Sequence, residues 1–222
     1  MKNRNVFSKL AFAFLLLPYV ATAQNQTYFA SNPALSPDAQ TVVFSYDGDI
    51  WRVPVKGGLA SRITAMQGEE INPKISPDGK WLAFSANQYG NFDVYLMPLT
   101  GGEIKQLTFN EATDEVDNWS WDSKTIYFTS SRYNNYTSYK VGINGGTAVR
   151  LFDNYFNTTH HIAEAPDGNL FFSDTWESRN FANRKHYKGA FNPDIQSYNS
   201  KTKTYKRYTD YLGKDFWTSV DQ

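Results

Sequence analysis

Three histidines are the side chains best suited to proton transfer or metal binding in this chain: His160, His161 and His186. A metal site would need carboxylates or further histidines gathered around them by the fold. His160 and His161 are adjacent at the start of an expected strand, where alternation sends neighbouring side chains to opposite faces, so they are expected to be poor joint ligands. Their expected role is in a turn or an inter-blade hydrogen bond. Asp38, Asp78, Asp122 and Asp167 recur at regular intervals, which suits an Asx-type turn joining two strands better than acid-base catalysis. The chain contains no cysteine, which excludes structural disulfides, thiolate metal sites and a cysteine nucleophile. No Gly-x-Ser-x-Gly elbow, phosphate-binding loop, His-Glu-x-x-His helix or calcium loop is present. No catalytic, cofactor-binding or metal-binding residue is therefore assigned. The sequons at Asn25, Asn118, Asn135 and Asn157 are short motifs of the kind that turn-rich sequences contain by chance.

What positions these residues is a repeat. A turn recurs as Ser36-Pro37-Asp38, Ser76-Pro77-Asp78-Gly79, Ser120-Trp121-Asp122 and Ala165-Pro166-Asp167-Gly168. Each is followed by an apolar run: Thr41-Val42-Val43-Phe44-Ser45, Trp81-Leu82-Ala83-Phe84-Ser85, Thr125-Ile126-Tyr127-Phe128-Thr129 and Asn169-Leu170-Phe171-Phe172-Ser173. These read as buried strands, with Phe44, Phe84, Phe128 and Phe172 forming one column of core residues. A further strand begins at Asp49, Asp93, Thr137 and Asp194, and the first three exit through Gly57-Gly58, Gly101-Gly102 and Gly145-Gly146. Paired glycines supply the positive φ of a tight hairpin. The fourth copy has Thr202-Lys203 there and must turn differently. Short outer strands follow at Arg62, Gln106, Arg150 and Arg207.

The unit is a four-stranded antiparallel meander of about 40 to 45 residues, the size of one β-propeller blade. The fold class expected is all-β: four blades, over about 32–70, 71–115, 116–160 and 161–215, of a probable six, with the ring incomplete. Residues 216–222 are expected to begin a fifth blade. A closed four-blade ring or a stacked β-sandwich is the alternative, and either leaves this tail unexplained. In the fourth copy, residues 174–193 separate two strands that three residues connect in the first. This insertion, with Trp176, Arg179, Phe181, Arg184, Lys185, His186, Tyr187 and Lys188, is the expected functional surface if it is more than a tolerated loop.

Lys2, Arg4 and Lys9, the apolar run 10–17 and Ala21-Thr22-Ala23 have the order of a secretory signal, so residues 1–23 are expected to be cleaved near Ala23. The run is too short for a comfortable bilayer span, and no membrane span is expected after cleavage. Lys and Arg total 22, as do Asp and Glu, so no net field exists to hold nucleic acid.

The segment Ser-Pro-Asp-Gly-Lys-Trp-Leu-Ala-Phe-Ser at 76–85, followed by Asp93-Val94-Tyr95-Leu96 and Gly101-Gly102, resembles the WD-like repeat of TolB-type propellers. That repeat also occurs in prolyl oligopeptidases and tricorn-type proteases. Asp47-Gly48-Asp49-Ile50-Trp51, His186-Tyr187-Lys188-Gly189 before Asp194-Ile195, and Tyr211-Leu212-Gly213-Lys214-Asp215 with Phe216-Trp217 resemble the first propeller of exported tricorn-type serine peptidases. The resemblance implies a longer parent with the rest of a six-bladed propeller, a second propeller, a PDZ-like domain and a peptidase core. It also implies a periplasmic or secreted location and a possible oligomer. The implied role is substrate gating and scaffold support, with peptide or unfolded protein passing the channel and downstream domains of the same chain as partners. No cofactor is implied. The competing classes are a non-catalytic TolB-like binding propeller and the propeller of a prolyl-oligopeptidase-type hydrolase.

Overall fold

The computed structural model describes residues 29–134, 136–152, 158–177, 189, 191–215 and 217–220. The expected signal peptide, and His186, Tyr187 and Lys188 of the insertion, lie outside the described residues. Four blades follow one another along the chain. Blade one comprises β1 (Ser31–Leu35), β2 (Thr41–Tyr46), β3 (Asp49–Pro54) and β4 (Ser61–Arg62). Blade two comprises β5 (Glu70–Ile75), β6 (Trp81–Ala86), β7 (Asp93–Pro98) and β8 (Lys105–Gln106). Blade three comprises β9 (Asp114–Trp119), β10 (Thr125–Ser130), β11 (Thr137–Gly142) and β12 (Val149–Arg150). Blade four comprises β13 (His160–Glu164), β14 (Asn169–Ser173), β15 (Ile195–Asn199) and β16 (Thr204–Arg207). Each is an antiparallel meander in which every strand pairs with its chain neighbour. The innermost strands β1, β5, β9 and β13 lie side by side, and among the described residues the ring is not closed.

The recurring turn is built by its aspartate. Asp78 Oδ1 accepts from Ser76 Oγ at 2.6 Å and from the Lys80 N–H at 3.1 Å, while Ser76 Oγ accepts from the Trp81 N–H at 2.9 Å. Asp38 and Asp122 make the same bonds with Ser36 and Ser120. Blade four has Ala165 in place of the serine, and Asp167 keeps only its bonds to Asn169. The outer hairpins turn on Gly57-Gly58, Gly101-Gly102 and Gly145-Gly146, all at positive φ. In blade four Lys203 takes φ +58°, and Asn199 Oδ1 accepts from the N–H groups of Lys201 and Thr202, so a side chain supports what glycine supplies elsewhere.

Blades adhere through three apolar layers. Val43 and Ile50 of blade one meet Leu82, Phe84, Tyr95 and Met97 of blade two. Ala83, Val94 and Leu96 meet Val116, Ile126, Phe128 and Val141 of blade three. Tyr127 and Phe152 meet Ile162, Leu170 and Phe172 of blade four. Within the expected phenylalanine column, Phe84 and Phe128 are 0% exposed and Phe172 is 1% exposed. Phe44 differs in being only half-buried. Its column faces the preceding blade at each step, and among the described residues no blade covers that face of blade one.

Candidate functional site

The inner strands line an open central cavity of about 690 Å³, bordered by Asn32 of β1, Asn72 and Lys74 of β5, residues 115–118 of β9, His161 and Ile162 of β13, and residues 217–219. A regular strand would turn only every second residue toward this space. The inner strands depart from that period. Asn32, Asn72 and His161 take φ +49°, +54° and +55°, and register shifts fall at Ser31/Ala34, Ile71/Lys74 and His160/Ala163. Two residues of the inner strand stand opposite one phenylalanine of the next strand: Asn32 and Pro33 opposite Phe44, and Asn72 and Pro73 opposite Phe84. Asparagine tolerates the left-handed region because its short polar side chain can bond locally. Here Asn32 Nδ2 donates to Asn72 Oδ1 at 2.8 Å, linking successive bulges across the cavity wall. In β9 the irregularity falls between Val116 and Asn118, at Asp117.

This bulge corrects the expectation for the histidines. At φ +55° His161 leaves the alternation, and its ring meets that of His160 edge-on with centroids 4.7 Å apart and the two Nδ1 atoms in hydrogen-bond contact. Buried His160 donates Nε2–H to the Thr175 carbonyl at 2.8 Å, so in the neutral ring its Nδ1 is the acceptor and His161 Nδ1–H donates to it. His161 also packs near the Trp217 ring, centroids 6.2 Å apart, and its carbonyl accepts from Thr218 Oγ1 at 3.1 Å. Among the described residues no group of three or more His, Asp and Glu side chains is placed to hold a metal ion.

The cavity wall carries charge of both signs. Burial holds the Lys74 ammonium below the usual lysine range, opposed by the Asp117 carboxylate. Asp117 Oδ2 accepts from Thr129 Oγ1 at 2.7 Å. Neither Lys74 nor Asp117 stands out in the sequence. The recurrence of Asn-Pro at 32–33 and 72–73 was the available signal for the bulges.

Buried carboxylates fasten the joints, Glu70 to the preceding blade and Asp114 and Glu177 within their own blades. Glu70 accepts from Thr64 Oγ1, from the Ile50 N–H at 3.2 Å and from the Met66 N–H at 2.8 Å. Asp114 pairs with Arg132, and Glu177 pairs with Lys214 at 3.1 Å with both side chains buried. That last pair pins the insertion to the exit of blade four, while the Thr175 Oγ1 bond to the Phe191 carbonyl at 2.9 Å and the Trp176–Phe191 ring contact at 5.3 Å join the insertion's two ends.

Burial raises the carboxyls of Glu70, Asp114 and Asp174 above their ordinary range and that of Asp93 to about 6. A carboxyl whose folded value exceeds its unfolded one favours the folded state at low pH and loses that contribution as pH rises through the folded value. The exposed turn aspartates Asp38 and Asp122 shift the opposite way through their serine hydrogen bonds, but solvent screens them. Stability should therefore rise as pH falls from 7 to about 5. A urea midpoint higher at pH 5.5 than at pH 7.5 checks this, and Asp93→Asn should reduce the difference.

Residues 27–220 match the tricorn protease N-terminal β-propeller domain family, and the chain belongs to that family. A segment of 53 residues is 42% identical to a protein named as a tricorn-like protease N-terminal subunit in Sulfurisphaera tokodaii, covering 23% of this chain and 27% of that protein. The tricorn protease crystal structure superimposes with TM-score 0.67 and 20% identity over 84% of this chain and 19% of that one. A TolB-type protein of Agrobacterium tumefaciens superimposes with TM-score 0.71 and 24% identity over 86% of this chain and 65% of that one. The matched segments thus span about a quarter or less of the curated relatives. Among the described residues no helix is long and apolar enough to cross a membrane.

Proposed function

We propose that this chain is the gating propeller of an exported tricorn-type serine peptidase, admitting extended peptide through its central cavity to catalytic domains elsewhere in the protein. The observation that carries the reading is the cavity itself. Its wall combines asparagine amides, Lys74, Glu115, Asp117 and the Trp217 ring, groups that bond or pack against an extended backbone without selecting one sequence. Residues 1–23 direct export, and the mature protein acts in the periplasm or outside the cell.

The ring continues beyond blade four, with residues 216–222 opening a fifth blade. Two features support this. Trp217 takes φ +62°, close to the values of Asn32, Asn72 and His161. Its N–H points to Ser173 Oγ at 3.4 Å, as the Val116 N–H donates to Ser85 Oγ at 2.7 Å two blade junctions earlier. The full-length protein should hydrolyse an unstructured peptide and lose that activity to a serine-directed phosphonate, while the 24–222 segment alone should hydrolyse nothing. Hydrolysis by the segment, or a full-length protein that binds peptide without cleaving it, contradicts the proposal, the second result pointing to a TolB-like binding propeller.

A further inference from the structure

Blades one and four share an ion pair at one repeat position, and blade two keeps its acid but has glutamine in place of the base. The first residue of the third strand and the residue thirteen places later are Asp49 and Arg62, Asp93 and Gln106, Thr137 and Arg150, and, one residue ahead of β15, Asp194 and Arg207. The later residue holds one register slot throughout, opposite Trp51, Tyr95, Tyr139 and Gln196. In blade one Arg62 Nη1 pairs with Asp49 Oδ2 at 3.0 Å, and in blade four Arg207 Nη2 pairs with Asp194 Oδ2 at 2.5 Å. Blade three has no acid in the slot, and its Arg150 guanidinium lies over the Tyr133 ring, 4.1 Å from the centroid.

Blade two keeps the acid and lacks the base. Gln106 Nε2 donates to Asp93 Oδ2 at 3.1 Å, and Thr108 Oγ1 donates to Asp93 Oδ1 at 3.1 Å, so the carboxylate has neutral donors in place of a cation. Asp93 is 3% exposed and has no ion-pair partner among the described residues. Arg132 lies near enough to favour the ionised form, but its guanidinium is engaged by Asp114. Asp93 and Gln106 line a shallow surface cavity of about 330 Å³ together with Glu111, Tyr89 and Phe109. Those rings are 70% and 77% exposed, at the ends of the loops that follow β6 and β8. Aromatic faces beside two carboxylates are the surroundings a planar cation prefers, through ring quadrupole and bidentate hydrogen bonding together.

We propose that this cavity on the rim of blade two receives the arginine side chain of a partner polypeptide, whose guanidinium takes the place that Arg62 and Arg207 fill internally in blades one and four. Tyr89 and Phe109 sandwich the incoming side chain, Asp93 and Glu111 supply its counter-charge, and the Gln106 amide rotates aside. The site lies outside the central cavity and does not depend on peptide passage or on hydrolysis elsewhere in the protein.

The test titrates the full chain with acetyl-Ala-Ala-Arg-Ala-Ala-amide and with the same peptide carrying citrulline, a neutral isostere of arginine, following the backbone amides of Tyr89, Phe109 and Glu111 by NMR. The arginine peptide should bind at least about tenfold more tightly than the citrulline peptide, a factor that corresponds to about 1.4 kcal/mol. Gln106→Arg restores the internal pair and should abolish binding while raising or preserving the melting temperature, which separates occupancy of the site from loss of fold. Asp93→Asn should weaken arginine binding to the level of citrulline. Equal affinity for the two peptides, or undiminished binding by the Gln106→Arg protein, overturns the proposal.

Discussion

In the 24–222 segment, replacing Phe84 with alanine should destabilise the fold by about 3 to 5 kcal/mol, whereas Phe44→Ala should cost less than about half of that. Both phenylalanines stand in the same strand position, opposite an Asn-Pro bulge of the inner strand. They differ in what covers them. Phe84 is fully buried between blades one and two and stacks on Tyr95 with centroids 5.8 Å apart, while Phe44 faces away from blade two and is half-buried. Truncating a sealed aromatic leaves a cavity in addition to the lost transfer energy; truncating a partly wet one leaves only part of each. A loss of this size is a large fraction of the 5 to 15 kcal/mol that holds an ordinary domain together. Urea unfolding of the two variants measures the contrast. Equal losses would mean that blade one is covered on both faces.

Arg132→Met should be comparably severe at neutral pH, about 3 to 5 kcal/mol, because it strands a charge. Asp114 is 0% exposed and the Arg132 guanidinium is its ion-pair partner, held over the rings of Phe128 and Tyr139 at 5.7 and 5.5 Å. Without it the carboxylate must stay ionised in a dry joint or take up a proton. Burial already raises this carboxyl with Arg132 present, and removing the cation raises it further. The deficit should therefore shrink as pH falls toward 5, and Asp114→Asn placed on Arg132→Met should recover most of the loss. A deficit independent of pH would show that the arginine acts through packing alone.

The middle strands were legible in the sequence because each has few polar interruptions and ends in a marked turn. Asp78 with Ser76 announces the hairpin before β6, and Gly101-Gly102 the one after β7. The inner strands were not legible. Their period of two is broken at Asn32, Asn72 and His161, so a reading by alternation placed His160 and His161 on opposite faces when the bulge brings their rings together. The wall of the cavity was hidden for the same reason. Lys74 and Asp117 carry no mark in the sequence, and only the arrangement of the inner strands shows that they share a partly desolvated space. Phe44 shows the reverse failure. Its sequence context matches that of Phe84, but burial depends on a neighbouring blade, which no local pattern records.

The blank in the ion-pair repeat was in plain view, as Gln106 where Arg62, Arg150 and Arg207 stand, but its meaning needed the register of β8 against β7. An internal repeat supplies its own controls. Blades one and four show how the slot looks when filled, and blade two shows it with the acid alone.

The central claim, passage of extended peptide along the ring axis, has a direct measurement because the chain contains no cysteine. In the full-length protein, with any cysteine outside these 222 residues replaced by serine, Asn118→Cys places a single thiol in the cavity wall, and Leu59→Cys places one at a residue that is 93% exposed on the outside. Each variant is offered an unstructured peptide carrying an activated disulfide, and then a folded protein carrying the same group. The account predicts that the cavity thiol is captured by the peptide and spared by the folded protein, while the outer thiol reacts with both. A cavity thiol that the peptide cannot reach, or that the folded protein captures as readily, would contradict it.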